Sequence, residues 1–173
     1  MDTQSTAGAP AGLLRRLAAL LYDLLLVIAL AFAATFAMLP LTRGEAILTA
    51  TQGPLGHLYH AAWVLVVFAY FGWCWTRTGQ TLGLRAWRIR LQLQGGGKLG
   101  WPAALLRYLL GMVLAWMAVA GAWYLARPGS ALGHAGAVLL IAPLVANFAW
   151  IPIDREKRSL MDRAGGARML RCG

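Results

Sequence analysis

Four long apolar runs constrain this chain more than any other feature. They cover residues 17–41, 57–76, 103–126 and 132–153. A bilayer core of roughly 30 Å takes about 20 apolar residues in a helix, and each run meets that length. Lipid offers no hydrogen bonds to the backbone, so a spanning segment must satisfy its own peptide groups. Composition points the same way: 60% of residues are hydrophobic and 13% are charged, where a soluble domain carries about 25% charged residues. A small soluble fold needs polar residues over its large surface, and lipid removes that need. The expected fold class is an all-α membrane protein with four transmembrane helices.

The first run has Arg15 and Arg16 before it and Ala31-Phe32-Ala33 within it, the outline of a secretory signal. The apolar stretch continues past that site and contains Asp23, so a retained helix is expected. Residues 1–12 are small and polar and are expected to form a disordered cytosolic tail. Residues 13–171 are expected to form the four-helix membrane domain.

The formal charge is +10. Basic chains can bind nucleic acid, but here the positive charges lie between the apolar runs, where orientation in the membrane explains them. Arg15, Arg16, Arg77, Arg85, Arg88, Arg90, Lys98, Arg107, Arg155, Lys157, Arg158, Arg163, Arg168 and Arg171 fall on one side. Arg43 and Arg127 fall on the other. The positive-inside rule then places both termini and the central loop in the cytosol. The expected partners are the lipid bilayer and, at the cytosolic face, anionic headgroups. No nucleic-acid partner is expected.

The loop between the second and third runs carries a strand pattern. Arg88-Ile89-Arg90-Leu91-Gln92-Leu93-Gln94 alternates polar and apolar residues, and Gly95-Gly96-Gly97 permits a reversal. Residues 98–101 are the expected return strand, giving a short cytosolic β-hairpin or loop between helices 2 and 3. Its apolar side would rest on lipid or helix ends.

Asp23 is the costly residue. A carboxylate within a membrane helix costs at least about 2.5–3.5 kcal/mol at the centre, so it needs a partner, a proton or water. Arg16 shares its helix face but stands about 10 Å away along the axis, so the partner is expected on another helix. Asn147 lies at similar depth in the fourth run, and Arg107 could reach inward from the third. Two roles stay open: fixing helix packing, or relaying a proton or cation. His57 and His60 have helical spacing, but no carboxylate joins them, so no metal is expected. Cys74 and Cys172 are too few for a disulfide framework. No nucleophile arrangement or phosphate loop stands out, so neither a cofactor nor an enzymatic activity is expected.

Three blocks carry a resemblance. Arg15-Arg16-Leu17-Ala18-Ala19-Leu20-Leu21-Tyr22-Asp23 resembles the opening of the RDD family of membrane proteins, named for one arginine and two aspartates. Gly79-Gln80-Thr81-Leu82-Gly83-Leu84-Arg85 resembles that family's Gly-x-Thr-x-Gly-Lys stretch leading into a strand. Asp154-Arg155-Glu156-Lys157-Arg158-Ser159-Leu160-Met161-Asp162-Arg163 resembles its closing basic run. The resemblance covers residues 11–170. It implies that Arg16, Asp23 and Asp162 are the family triad, structural or ion- and proton-binding, with Arg107, Asn147 and Asp154 as a supporting polar cluster. Leu84 stands where a lysine is usual, Met161 where a histidine is common, and Ala167 where a threonine is common.

The resemblance implies a multi-pass protein of the bacterial inner membrane. Its expected activity is that of a small cation/proton or solute transporter, or a subunit of one. Four helices are few to enclose a pathway, so a homo-oligomer or a membrane-protein partner is expected. The alternative is a non-transporting scaffold or assembly factor, in which Arg16 and Asp162 staple the cytosolic ends of the helices.

Overall fold

The computed structural model describes residues 8–40, 53–127 and 133–172. In chain order the elements are α1 (Leu13–Met38), α2 (Pro54–Arg77), α3 (Leu82–Ala86), β1 (Ile89–Leu93), α4 (Trp101–Leu125), α5 (Gly133–Ile153), α6 (Leu160–Ala164) and β2 (Ala167–Arg171). Helices α1, α2, α4 and α5 are long and apolar enough to cross a membrane, in line with the four runs. Arg43 lies outside the described residues.

The long helices invert the usual arrangement of a soluble bundle. Their large apolar side chains point outward: Phe36, Leu65, Val119 and Leu139 are all more than half exposed. Their buried positions are instead small or polar, apart from Ile151. In α1 these are Arg16, Ala19 and Asp23; in α4, Ala104, Arg107 and Gly121; in α5, Ala137, Asn147 and Ile151. Lipid is as apolar as leucine, so helices in it gain by close approach of small residues and by polar contacts.

Helices α4 and α5 show the close approach. A Cβ on Gly121 would stand 2.7 Å from the Ala137 carbonyl oxygen and 2.7 Å from Ile141 Cγ1. Gly121→Leu should therefore force the two helices apart, at about the 1–3 kcal/mol of overpacking. A lowered melting temperature in detergent checks this. An unchanged melt would mean that the pair does not contribute to stability.

Pro54 and Pro102 sit in the first turns of α2 and α4, where a missing N–H costs nothing. Pro102 stands there as its position in the sequence suggests.

The strand pattern at 88–94 is a strand, but its partner is not residues 98–101. β1 pairs antiparallel with β2, with Leu91 opposite Met169 and Leu93 opposite Ala167. The reversal after β1 is present: the Leu93 N–H donates to the Gly97 carbonyl at 2.8 Å. The chain then enters α4 at Trp101 rather than returning as a strand. The alternation of β1 was legible because it is local, whereas its partner lies more than seventy residues further on.

The tail expected over residues 1–12 lies outside the described residues as far as residue 7. From Gly8 the chain is held against β2. Pro10 bridges Leu170, the Ala11 N–H donates to the Met169 carbonyl at 2.9 Å, and the Arg171 N–H donates to the Ala9 carbonyl at 2.8 Å. Residues 9–11 thus cover the free edge of β2 immediately before α1 begins.

This small sheet seats on the helix ends. Ile89 and Leu91 are fully buried, and with Leu84, Leu99, Ala19, Ala11 and Ala167 they form a core. Trp75, Trp87 and Met169 pack around it. The apolar face of β1 therefore rests on helix ends, one of the two surfaces expected for it.

Candidate functional site

The polar residues buried in the membrane helices converge at the end of the bundle that carries the sheet. Two clusters form there, one around Asp162 and one around Asp23.

Asp162 lies in α6 and is 0% exposed. Its position follows from local sequence. Ser159 caps α6: its hydroxyl oxygen accepts from the Asp162 N–H at 3.1 Å, and the Asp162 carboxylate accepts from the Ser159 N–H at 3.3 Å. This reciprocal box fixes the start of the helix and aims the carboxylate into the bundle. There Arg16 donates to Oδ2 at 2.5 Å and Arg107 donates to Oδ1 at 2.7 Å. Arg16 also donates from Nε to the Ala11 carbonyl at 3.0 Å and from Nη2 to the Lys157 carbonyl at 2.5 Å. One arginine thus ties together α1, the segment covering β2 and the turn before α6.

Burial opposes ionisation of Asp162, but the charges of Arg107 and Arg16 and their hydrogen bonds outweigh it and hold the carboxyl below its usual range. In the folded state Asp162 therefore binds fewer protons than in the unfolded state, whose carboxyl titrates near pH 4. Its stabilisation is complete above about pH 4 and is lost as pH falls through the depressed folded value. Melting in detergent should be flat from about pH 8 to about pH 5 and fall below about pH 4. A melt that ignores acid down to about pH 3 would count against a supporting role for this carboxylate.

Asp23 meets neither of the partners expected for it. Its Oδ2 accepts from the Thr81 hydroxyl at 2.5 Å and its Oδ1 accepts from the Gly83 N–H at 2.8 Å. Both donors belong to the first turn of α3. Asn147 instead accepts from the Met161 N–H at 2.9 Å, and Arg107 serves Asp162. The expectation failed because it searched the long helices for a side-chain partner, whereas a short connecting helix offers both a hydroxyl and a free N–H.

The Gly79-x-Thr81-x-Gly83 spacing was the available signal, and each residue has a separate reason. Gly79 has φ +70°, and a Cβ there would collide with the Leu91 carbonyl oxygen. The Gly79 carbonyl accepts from the Leu91 N–H at 2.8 Å, so the turn is bonded to β1. Thr81 caps α3, accepting from the Leu84 N–H at 3.2 Å, while donating to Asp23. Gly83 lies directly on α1, where a Cβ would collide with the Ala19 carbonyl oxygen.

Asp154 lies beyond α5 and bonds to neither cluster, though its charge reaches Arg16. The Arg158 N–H donates to its Oδ2 at 2.9 Å, and the guanidinium of Arg158 lies 3.6 Å away. The Arg158 hydrogen bond, aided by the charges of Arg158 and Arg163, holds its carboxyl below the usual range.

Above the clusters the four long helices line a half-open cavity of about 490 Å³, within the roughly 300–1,000 Å³ of ligand sites. Its walls are apolar, with Val67 and Phe71 from α2, Met112 and Ala115 from α4, and Val27 from α1. Its polar floor includes Arg16, Asp23, Thr81, Arg107, Asn147 and Ser159. The structure therefore brings Arg16, Arg107 and Asp162 into one ion-paired group and places Asp23 and Asn147 beside it on the same floor.

The model of the RDD family matches residues 10–166. No curated protein and no solved structure matches the chain.

Proposed function

This chain belongs to the RDD family, and from that premise we propose that it is a transport component of the bacterial inner membrane that holds a solute in the four-helix cavity. The carrying observation is that cavity: about 490 Å³ with apolar walls and a polar, charged floor. A bundle that served packing alone would gain by filling such a space, since lost contacts are costly. The basic end would face the cytosol, by the excess of Lys and Arg there. Assembly with further copies, or with another membrane protein, would complete the walls of a pathway.

A solute fits this floor better than a metal cation does. Both oxygens of Asp23 already accept from protein donors, and two guanidiniums share the floor with it. We assign no catalytic role and no cofactor to the cluster.

Cysteine labelling tests the reading. With Cys74 and Cys172 replaced by serine, Met112→Cys on the cavity wall should react with a water-soluble maleimide. Cys172, kept alone, should react only from the cytosolic side of sealed vesicles. A Met112→Cys variant inert from both sides would overturn the transport reading.

The scaffold reading also has an observation in its favour. Asp162 has donors on both oxygens from three elements, as a structural clamp would. It gains if the cavity residue stays unlabelled and the intact protein co-purifies with a stable partner in mild detergent.

A further inference from the structure

The floor of the cavity offers hydrogen-bond donors that the protein does not use. Arg107 is 8% exposed. Its Nη1 is engaged by Asp162, while its Nε and Nη2 make no hydrogen bond among the described residues. The face of the guanidinium lies 5.6 Å from the centre of the Trp75 ring, which holds it in place without consuming those donors. Asn147 is 4% exposed. Its oxygen must face the Met161 N–H, from which it accepts, so its Nδ2 donors point elsewhere. They too have no partner among the described residues. Both side chains line the cavity.

These donors open onto the cavity, where the acceptor oxygens of an occupant can reach them. The open N–H groups on the floor indicate its sign. Arg16 and Arg107 line the cavity against the single carboxylate of Asp23, whose oxygens are taken by Thr81 and Gly83. Asp162 brings the four charges to zero, but it is 0% exposed and does not line the cavity, so an occupant touches the guanidiniums and not this carboxylate. An occupant thus meets free N–H groups of a cation at one end and hydrocarbon everywhere else. Arginine favours flat, oxygen-rich anions such as phosphate and carboxylate.

We infer that the cavity binds an acidic amphiphile, with its anionic head on Arg107 and Asn147 and its hydrocarbon chain along the walls formed by α2 and α4. This rests on the reading of the cavity as a solute site and names the class of solute. The shape supports one chain beside Gly111. That glycine lines the cavity, and a Cβ built on it meets nothing within 4 Å. A larger residue there would project from an open position into the chain's space.

The test uses the full chain in detergent, with tryptophan fluorescence as the readout, since Trp63, Trp75 and Trp116 line the site. Three probes are compared: 1-oleoyl lysophosphatidate, 1-oleoyl lysophosphatidylcholine and inorganic phosphate. Lysophosphatidate should bind saturably and about tenfold more tightly than the zwitterionic lipid, as expected for a charge-assisted head contact. Inorganic phosphate should not displace it.

Two variants separate the head from the chain. Asn147→Asp keeps the acceptor for Met161 but adds negative charge to the floor, and should weaken lysophosphatidate by about tenfold or more. Gly111→Phe should abolish binding of the chain while the melting temperature holds or rises, because glycine within a helix is unfavourable. Equal binding of the two lipids, competition by phosphate alone, or full binding by Gly111→Phe would each overturn the assignment. Lysophosphatidate binding with an unlabelled Met112→Cys would sink transport and keep the ligand class. A labelled Met112→Cys without lysophosphatidate binding would do the reverse.

Discussion

Asp162→Leu should leave little folded protein. The substitution strands Arg16 and Arg107, which are almost fully buried, and undoes the reciprocal cap of α6. Breaking a buried ion pair by removing one partner costs about 3–5 kcal/mol, and here one carboxylate serves two guanidiniums. Typical folding stabilities are only about 5–15 kcal/mol. The informative comparison is a triple variant, Arg16→Met with Arg107→Met and Asp162→Leu. Replacing a whole buried ionic group with apolar residues is often close to neutral, so the triple variant should recover most of the melting temperature. Size-exclusion profiles and melts in detergent read the result. If Asp162→Leu alone folds normally, the cluster does not support the fold.

Gly83→Val should have the second large effect, through a different contact. At this point α3 lies against the backbone of α1, and a Cβ would collide with the Ala19 carbonyl oxygen and approach Asp23 Cγ to 2.9 Å. Displacing α3 costs about 1–3 kcal/mol in overpacking. It also removes both donors from Asp23, leaving a buried acceptor unsatisfied at about 1–3 kcal/mol more. Asp23→Asn is the gentler control, because an amide oxygen can still accept from Gly83 and the amide nitrogen can donate to the Thr81 oxygen. A melt lowered by Gly83→Val and nearly unchanged by Asp23→Asn would identify geometry, rather than charge, as what this contact supplies. Equal losses would show that the charge matters to the fold.

The four spans were legible because hydrocarbon thickness dictates helix length, and that rule reads directly from residue type. The strand at 89–93 was legible from alternation alone. Its pairing with 167–171 was not, because β2 reads Ala-Arg-Met-Leu-Arg and carries little alternation of its own. At the site, Asp23 stood out as a carboxylate inside an apolar run and Arg16 as a charge at its edge, whereas Asp162 came only from the resemblance to the RDD family. What joins them did not. Thr81 and Gly83 are unremarkable by type, and their importance comes from backbone approach, which a sequence shows only as small residues at a fixed spacing. The cavity was not legible at all, since it depends on how far apart four helices stand.

The order of synthesis gives the sheet a further meaning. Residues 9–11 and β1 both wait for β2, which is made after all four spanning helices. Arg16 likewise waits for Asp162, 146 positions later. Until then, the guanidiniums of Arg16 and Arg107 lack their shared counter-ion. A nascent chain that stalls before α6 therefore carries on α1 and α4 two arginines whose shared carboxylate has not yet been made.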